Sequence, residues 1–192
     1  MGDLMIDLFD SFNLGGLVLP NRMVMAPMTR TRASKRRIPT DLMREYYVQS
    51  ASASLIVTEC TAVRENSAGI IHAPGICEDA QVETWRSITN AVHAAGGRLY
   101  LQVWHCGRIS HSSLQPDRTS PIAPSAISPS GAIVTSKGRL PFEPPRALET
   151  AEIPPLTESF AFASVNARRA GFDGVELHGA FGYLIAHSRW KT

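Results

Sequence analysis

Hydrophobic and polar positions along this chain follow two alternating periods, which predict strands and helices in turn. Short apolar runs lie at 23–26, 55–58, 98–105 and 174–178, and each is typical of a strand in a parallel sheet covered by helices. A helix is predicted over about 41–53, between the first two runs. The pattern therefore predicts an α/β fold in which strands and helices alternate.

Two further helices are predicted from apolar residues that recur on one face. The second helix is expected to follow Asp79 as its N-cap and to stop at Gly96. Its apolar stripe consists of Val82, Trp85, Ile88 and Val92. The third helix is expected to stop at Gly171. Its stripe consists of Leu156, Phe160, Ala163, Ala167 and Ala170.

Two segments depart from this plan. Apolar and polar residues alternate on both sides of Gly15-Gly16, which predicts a small hairpin with glycines in its turn. Residues 107–145 are rich in Ser, Pro and Gly without helical periodicity, which predicts a long loop. Loops of this length inside compact domains tend to be functional, and a tolerated disordered insertion is the alternative.

Composition and charge narrow the classes of function. The chain has 192 residues, 44% of them hydrophobic, and a net charge of +2, so it is expected to be one domain or part of one. The basic stretch from Arg30 to Arg37 is predicted to be a solvated loop rather than a phosphate-binding or nucleic-acid surface. Cysteines Cys60, Cys77 and Cys106 lack metal-binding spacing, which indicates reduced thiols in the cytoplasm and no metal site. Neither export nor membrane insertion is expected, since the chain has no basic leader and no run of 18 apolar residues.

Polar residues stand where each predicted strand ends. In parallel α/β sheets, functional groups gather at the carboxyl ends of strands, so these residues predict a site at one edge. They are Thr29, Glu59, Cys60, Gln102, Trp104, His105 and His178. Taken singly, each has a structural explanation as a cap, a hydrogen-bonded core amide or a core histidine.

Long segments of the chain resemble the old yellow enzyme family of FMN-dependent ene-reductases. The likeness is closest to its bacterial alkene or N-ethylmaleimide reductase branch, and it extends over about residues 7–185. The matching segments are MAPMTRTRA at 25–33, LIVTECTAV at 55–63, HAPGI at 72–76, AVHAAGGRLYLQVWHCGRISHSSLQP at 91–116 and AGFDGVELHGAFGYLI at 170–185.

The resemblance implies a fold and a reaction. The fold is a (β/α)8 TIM barrel, of which residues 1–192 would form the N-terminal half as a single incomplete domain, with about four strands and a short hairpin before them. The reaction passes hydride from NADH or NADPH to FMN, and then to the activated C=C of an enone, maleimide or nitroalkene. No G-x-G-x-x-G occurs, which fits a nicotinamide that visits the flavin pocket and needs no Rossmann domain.

The resemblance also implies roles for residues around the flavin. Pro27, Met28 and Thr29 would lie along it, with the Thr29 hydroxyl near N5 and O4. The backbone of Cys60 would face the ring, and Gln102 would bond its pyrimidine edge.

A second group would act on the substrate. Trp104 would line the substrate pocket, His178 would donate to the substrate oxygen, and Tyr183 would protonate the α-carbon. Phe181 departs from the family, which usually has His or Asn there, and it removes one of two hydrogen-bond donors.

The sequence leaves two functions open. The first is an FMN-dependent ene-reductase, with its chemistry weakened because the second half of the barrel is absent from this chain. The second is a non-catalytic half-barrel that self-associates or pairs with a complementing second half. Residues 186–192 diverge from the family, which favours a truncation, a frameshift or an artificial end.

Overall fold

A computed structural model describes residues 7–189 of the chain. Residues 1–6 and the last part of the divergent tail, 190–192, lie outside the described range. The strands are β1 (Phe12–Leu14), β2 (Leu17–Leu19), β3 (Val24–Met25), β4 (Leu55–Val57), β5 (Thr61–Ala62), β6 (Leu99–Trp104), β7 (Ile122–Ala123), β8 (Ala132–Thr135), β9 (Gly138–Pro141), β10 (Arg146–Ala147) and β11 (Gly174–Leu177). The α-helices are α1 (Asp41–Gln49), α2 (Asp79–Ala94), α3 (Ile153–Arg169) and α4 (Leu184–Arg189).

A parallel sheet in the order β11-β6-β4-β3 forms the centre of the fold, and β5 also pairs with β6. Its strands follow the chain order of the four predicted apolar runs, so the α/β prediction is confirmed. The register places Gln102 opposite Glu176 and Ile56 opposite Leu99. Because all four strands point the same way, their carboxyl ends meet at one edge of the sheet.

The helices pack their predicted stripes against one side of the sheet. The stripe of α2 is buried throughout, and Trp85 at its centre is fully buried and donates from Nε1 to the Gly75 carbonyl at 3.0 Å. Alanines Ala163 and Ala167 let α3 approach the same core closely. Within residues 7–189 no helix has the length and apolar character needed to cross a lipid bilayer.

Two predicted helix limits were wrong. Helix α1 ends at Gln49 rather than near residue 53, because the chain turns there to enter β4. The N-cap of α2 is Glu78 rather than Asp79, and its backbone N–H donates to Gln81 Oε1 at 3.2 Å.

The N-terminal hairpin was predicted correctly. Strands β1 and β2 pair antiparallel, with Leu14 opposite Leu17. Gly15 and Gly16 both have positive φ, of 58° and 96°, as a two-residue turn between twisted strands requires.

The long connection over 107–145 contains regular structure that its composition concealed. Strands β8 and β9 form an antiparallel hairpin, and β7 pairs with β10 beyond it. The run of β-branched residues Ile133, Val134 and Thr135 ahead of Gly138 was the available signal, and the surrounding Ser and Pro residues masked it.

The basic stretch from Arg30 to Arg37 is a loop with exposed side chains at Arg32, Lys35 and Arg36, which agrees with the predicted solvated loop. Three of its arginines also contact the rest of the protein. Arg36 pairs with Glu78 at 2.9 Å, and Arg37 is half-buried and donates to the Leu114 carbonyl at 3.4 Å. The guanidinium of Arg30 lies 4.4 Å from the ring centroid of Tyr46. These contacts attach the loop to the rest of the protein through its arginine side chains.

Candidate functional site

Three strand ends bring Cys60, Gln102 and His178 to one buried region. Cys60 follows β4, Gln102 lies in β6 and His178 follows β11, and their exposed fractions are 7%, 4% and 7%. The Cys60 thiol donates to Gln102 Oε1 at 3.2 Å, and the His178 N–H donates to the Val103 carbonyl at 3.1 Å. Parallel pairing therefore holds all three side chains at the carboxyl edge of the sheet.

Cys60 is held as a thiol and orients the neighbouring amide. Burial raises the pKa of Cys60 to about 11, although a hydrogen bond from the Thr29 side chain acts in the opposite direction. Because the thiol occupies Gln102 Oε1, the amide NH₂ is the part of that side chain left to donate elsewhere.

Aromatic rings form the other side of the region. The rings of Tyr183 and Trp104 meet edge to face with centroids 5.2 Å apart, and those of Tyr183 and His178 do so at 4.8 Å. Tyr183 also packs against the buried cluster that contains Cys60 and Cys106. One tyrosine thus touches both the histidine and the cysteine side of the region.

The turn between β11 and α4 is held in place by contacts with the residues that directly follow β6. The Leu184 N–H donates to the His105 carbonyl at 3.2 Å. Gly107 passes so close that a Cβ there would lie 2.9 Å from the backbone of Leu184. Glycine at 107 therefore permits the close approach that places Tyr183 beside Trp104.

Burial and hydrogen bonding set the state of His178. Burial lowers the pKa of its imidazole, with the Glu176 carboxylate acting in the opposite direction, so the ring is neutral at neutral pH. The Ala180 N–H donates to Nδ1 at 3.3 Å, which assigns the remaining ring proton to Nε2. His178 is consequently a neutral donor at Nε2.

Tyr183 keeps its proton over the physiological range. Burial raises the pKa of its phenol to about 12, and the nearby Cys60 and Cys106 thiols act in the same direction. A group in this state can hold a proton and deliver it to a stronger base, such as a carbanion-like carbon.

Other predicted site residues lie apart from this buried group. Pro27 is exposed, as is Met28 with an exposed fraction of 61%, on the irregular loop after β3. Phe181 is 86% exposed, with its ring 5.9 Å from that of His178 and a positive φ of 55°. Phe181 therefore lies beside the site without filling it.

A buried hydrogen-bonded pair behind the site was not predicted from the sequence. Glu59 is fully buried, and its Oε1 accepts from the Tyr47 hydroxyl at 3.2 Å. A buried carboxyl group is costly unless hydrogen-bond donors bind its oxygens. The signal was the spacing of Met43 and Tyr47 on the inner face of α1, which brings the tyrosine toward β4.

His105 makes the stability of this region depend on pH. Burial lowers its pKa to about 3, with the positive charge of Arg64 acting in the same direction. The unfolded chain takes up this proton near pH 6.5. Because the folded pKa lies below the unfolded one, the contribution of His105 is full above pH 6.5 and decreases as the pH falls toward 3. Linkage makes the contribution of His105 to the free energy of unfolding about 2 kcal/mol smaller at pH 5 than at pH 8.

Urea unfolding at pH 5 and pH 8 measures this difference. The His105→Gln variant is the control, since it removes the titrating group from a position only 2% exposed. A loss of stability that is equally large in His105→Gln would contradict the assignment.

The donors present suit a planar conjugated ring with polar edges, which is the shape of a flavin. The Gln102 amide and the Thr29 hydroxyl can serve hydrogen-bonding edges, and the exposed Met28 side chain offers an apolar surface. Within residues 7–189, Trp104 Nε1 is buried without a hydrogen-bond partner, as expected for a donor beside a ligand site. These residues therefore fit FMN.

Comparison with known proteins relates most of the chain to flavin oxidoreductases. Residues 7–188 match the sequence profile of the NADH:flavin oxidoreductase / NADH oxidase family. The putative 12-oxophytodienoate reductase-like protein 1 of Arabidopsis thaliana is 43% identical over 172 residues, which are 87% of this chain and 50% of that protein. Chanoclavine-I aldehyde reductase of Penicillium roqueforti is 41% identical over 94% of this chain and 48% of its own.

Solved structures give the same relation in three dimensions. Morphinone reductase superposes with a TM-score of 0.88 at 45% identity, over 92% of this chain and 49% of its own. The old yellow enzyme homologue of Zymomonas mobilis superposes with a TM-score of 0.90 at 45% identity, over 93% of this chain and 50% of its own. Another similar structure is morphinone reductase in complex with tetrahydroNAD. The chain spans about half the length of these relatives, and its fold corresponds to half of their TIM barrel.

Proposed function

Since this chain belongs to the NADH:flavin oxidoreductase / NADH oxidase family, within its old yellow enzyme branch, we propose that it reduces activated alkenes with FMN and NAD(P)H. The substrates are small enones, maleimides or nitroalkenes. The observation that carries the proposal is the contact of His178 with Tyr183, at 4.8 Å between ring centroids, beside the Cys60–Gln102 pair. A neutral donor and a protonated phenol thus adjoin the residues that fit a flavin.

The flavin is assigned to the Thr29, Cys60 and Gln102 side of the site. The Gln102 amide NH₂ would donate to its pyrimidine edge, the Thr29 hydroxyl would bond its reactive edge, and Pro27 and Met28 would lie along the ring. Held by these residues, FMN would supply the hydride-transfer chemistry between NAD(P)H and the β-carbon of the alkene.

His178 binds and polarises the substrate in this proposal. Its Nε2–H donates to the carbonyl or nitro oxygen, on which negative charge grows as the β-carbon is reduced. The bond strengthens as the charge develops, so it stabilises the transition state more than the bound substrate.

Tyr183 completes the reaction as the acid. Its hydroxyl holds the proton that the α-carbon takes up, and the pKa of about 12 keeps that proton in place until the carbon becomes basic. The edge-on packing against Trp104 and His178 fixes the direction of the hydroxyl.

Titration of the purified chain with FMN, followed by flavin fluorescence and size-exclusion chromatography, tests the first step. Stoichiometric binding is expected, and the loaded protein should then reduce 2-cyclohexenone with NADPH or NADH. Absence of binding at high micromolar FMN would overturn the proposal.

Phe181→Asn is expected to raise the rate of 2-cyclohexenone reduction about tenfold. Asparagine supplies a second donor beside His178, and it tolerates the positive φ of 55° better than phenylalanine does. Steady-state kinetics of the loaded protein measures the gain. Phe181→Leu removes the ring without adding a donor and should show no gain, whereas equal rates for both variants would contradict the prediction.

A second function is favoured by the apolar surface at the edge of the sheet. Val175 and Leu177 on β11 are 40% and 54% exposed. A cavity of about 460 Å³ is lined by Leu177 together with Leu156 and Phe160. A non-catalytic half-barrel that self-associates or pairs with a complementing half would cover this surface. Under this alternative the purified chain elutes as an oligomer and stays colourless after incubation with FMN.

A further inference from the structure

Glu59 is a fully buried carboxyl group to which the proposed reaction gives no role. Its two oxygens are used separately: Oε2 accepts from the Arg30 N–H at 3.2 Å, and Oε1 accepts from the Tyr47 hydroxyl at 3.2 Å. The same hydroxyl accepts from the Glu59 N–H at 3.1 Å. The tyrosine hydroxyl is therefore hydrogen-bonded to both the backbone and the side chain of Glu59.

The position of Glu59 in the chain links it to both sides of the flavin-facing surface. Arg30 directly follows Thr29, and Glu59 directly precedes Cys60. One side chain therefore joins the loop that carries Thr29 to the strand end that carries Cys60. Helix α1 supplies the third point of attachment through Tyr47, which is 1% exposed.

The loop that carries Thr29 needs such an attachment because it has no regular secondary structure to hold its backbone in place. Residues 26–33 form neither helix nor strand, and Thr31 has a positive φ of 55°. Without the bond to Glu59, the backbone N–H of Arg30 would have to find another acceptor. The Thr29 hydroxyl would then lose its fixed place beside Cys60.

Stability alone gives a poor reason for a carboxylate at this position. Burial raises the pKa of Glu59, and the Arg30 N–H, the Tyr47 hydroxyl and the charges of Arg30 and Arg32 oppose that effect only in part. A carboxyl with a raised pKa stabilises the fold most below its unfolded pKa, and this contribution is lost as the pH rises through the folded value. This group therefore contributes less to the stability of the fold at neutral pH than at acid pH, and an uncharged residue would serve the core better.

We propose that Tyr47 and Glu59 are a positioning pair that holds Thr29 and Cys60 in register at the flavin edge. The inference rests on the proposed function for its flavin part, whereas the positions of Thr29 and Cys60 can be tested in the free protein. Both residues of the pair are buried, so we assign them a role that acts through Thr29 and Cys60 and not by direct contact with substrate.

Two variants of the pair and a matched control test the proposal. Tyr47→Phe removes the hydroxyl and keeps the ring. Glu59→Gln replaces one acceptor oxygen with an amide donor, so the Arg30 N–H and the Tyr47 hydroxyl can no longer donate to separate oxygens of this side chain. Tyr46→Phe, at the neighbouring position of α1, removes a hydroxyl outside the pair and retains the ring beneath the Arg30 guanidinium.

Three measurements separate positioning from general stability. The dissociation constant for FMN and the visible spectrum of bound flavin report the flavin edge. The rate of Cys60 alkylation by iodoacetamide, read by mass spectrometry of its peptide, reports the thiol without flavin. Thermal unfolding at pH 7 reports the fold, and the other measurements are made at temperatures at which each variant is folded.

We expect Tyr47→Phe and Glu59→Gln to weaken FMN binding about tenfold, to shift the flavin spectrum and to speed Cys60 alkylation about tenfold, as for one lost hydrogen bond. Glu59→Gln should do so with an unfolding temperature equal to or above that of the parent protein. Tyr46→Phe should match the parent protein throughout.

The outcomes distinguish this inference from the proposed function. If the parent protein binds no FMN, the proposed function fails, and the alkylation of Cys60 still decides the inference. Unchanged alkylation in both variants overturns the pairing. The inference is also overturned if the FMN affinities of the variants change only in proportion to their unfolding temperatures and the flavin spectrum is unchanged. In that case the pair would only stabilise the fold.

Discussion

Tyr183→Phe is expected to lower the rate of 2-cyclohexenone reduction by the FMN-loaded protein about 10²- to 10⁴-fold, the usual contribution of a positioned acid. The substitution removes only the hydroxyl and keeps the ring that packs against Trp104 and His178. With a pKa of about 12, the phenol is protonated in nearly all molecules at neutral pH, so its loss removes the whole supply of protons from this group. Steady-state kinetics with NADPH in excess measures the effect.

Ferricyanide provides the control for this variant, because it accepts electrons without protonation of a carbon atom. We expect ferricyanide reduction and FMN affinity to be unchanged in Tyr183→Phe. A loss of less than tenfold with 2-cyclohexenone would show that another group, or water, supplies the proton.

His178→Ala is expected to lower kcat/KM for 2-cyclohexenone about 10²- to 10³-fold, the usual effect of removing one oxyanion donor. The effect is large because Phe181 supplies no second donor in the same turn. His178→Asn retains an amide N–H and should recover part of the loss. Kinetics of the three proteins at pH 7.5 measures the series.

The pH dependence of the parent protein checks the state of His178. Because the pKa of His178 is lowered, its ring is neutral at pH 7 and above. Nε2–H is the donor over that whole pH range. We therefore expect no step in kcat/KM between pH 7 and 9 that is absent from His178→Ala. A histidine-dependent rise in rate below pH 7 would instead assign the donation to the charged imidazolium.

The alternation of strands and helices could be predicted because it depends on local periodicity. Residues of α2 such as Val82 and Ile88 repeat on one helical face whatever lies opposite them, and all are buried as expected. The order of the parallel strands also followed, since consecutive βαβ units place consecutive strands side by side. The hairpin of β8 and β9 was missed because Ser and Pro around it dilute a pattern only four residues long.

The candidate site divides in the same way. That Cys60, Gln102 and His178 would come together followed from their places after or near the ends of parallel strands. The exposure of Phe181 and the burial of Glu59 could not be read in advance, because each depends on what packs against it from elsewhere in the chain. Tyr47 reaches Glu59 across 12 positions, and Arg30 reaches it across 29.

By itself, then, the sequence determined the α/β order, the helix faces, the hairpin at Gly15-Gly16 and the set of polar residues at the strand ends. These features depend on periodicity, on backbone preference and on the common direction of parallel strands, all of which act along the chain. Only the tertiary structure decided which arginines of the Arg30–Arg37 stretch contact the protein and that Tyr183 packs edge-on against both Trp104 and His178. It also decided that Glu59 joins the loop after β3 to the end of β4. Those features depend on contacts between distant segments, whose burial and hydrogen bonding are fixed only when the sheet and its helices are assembled.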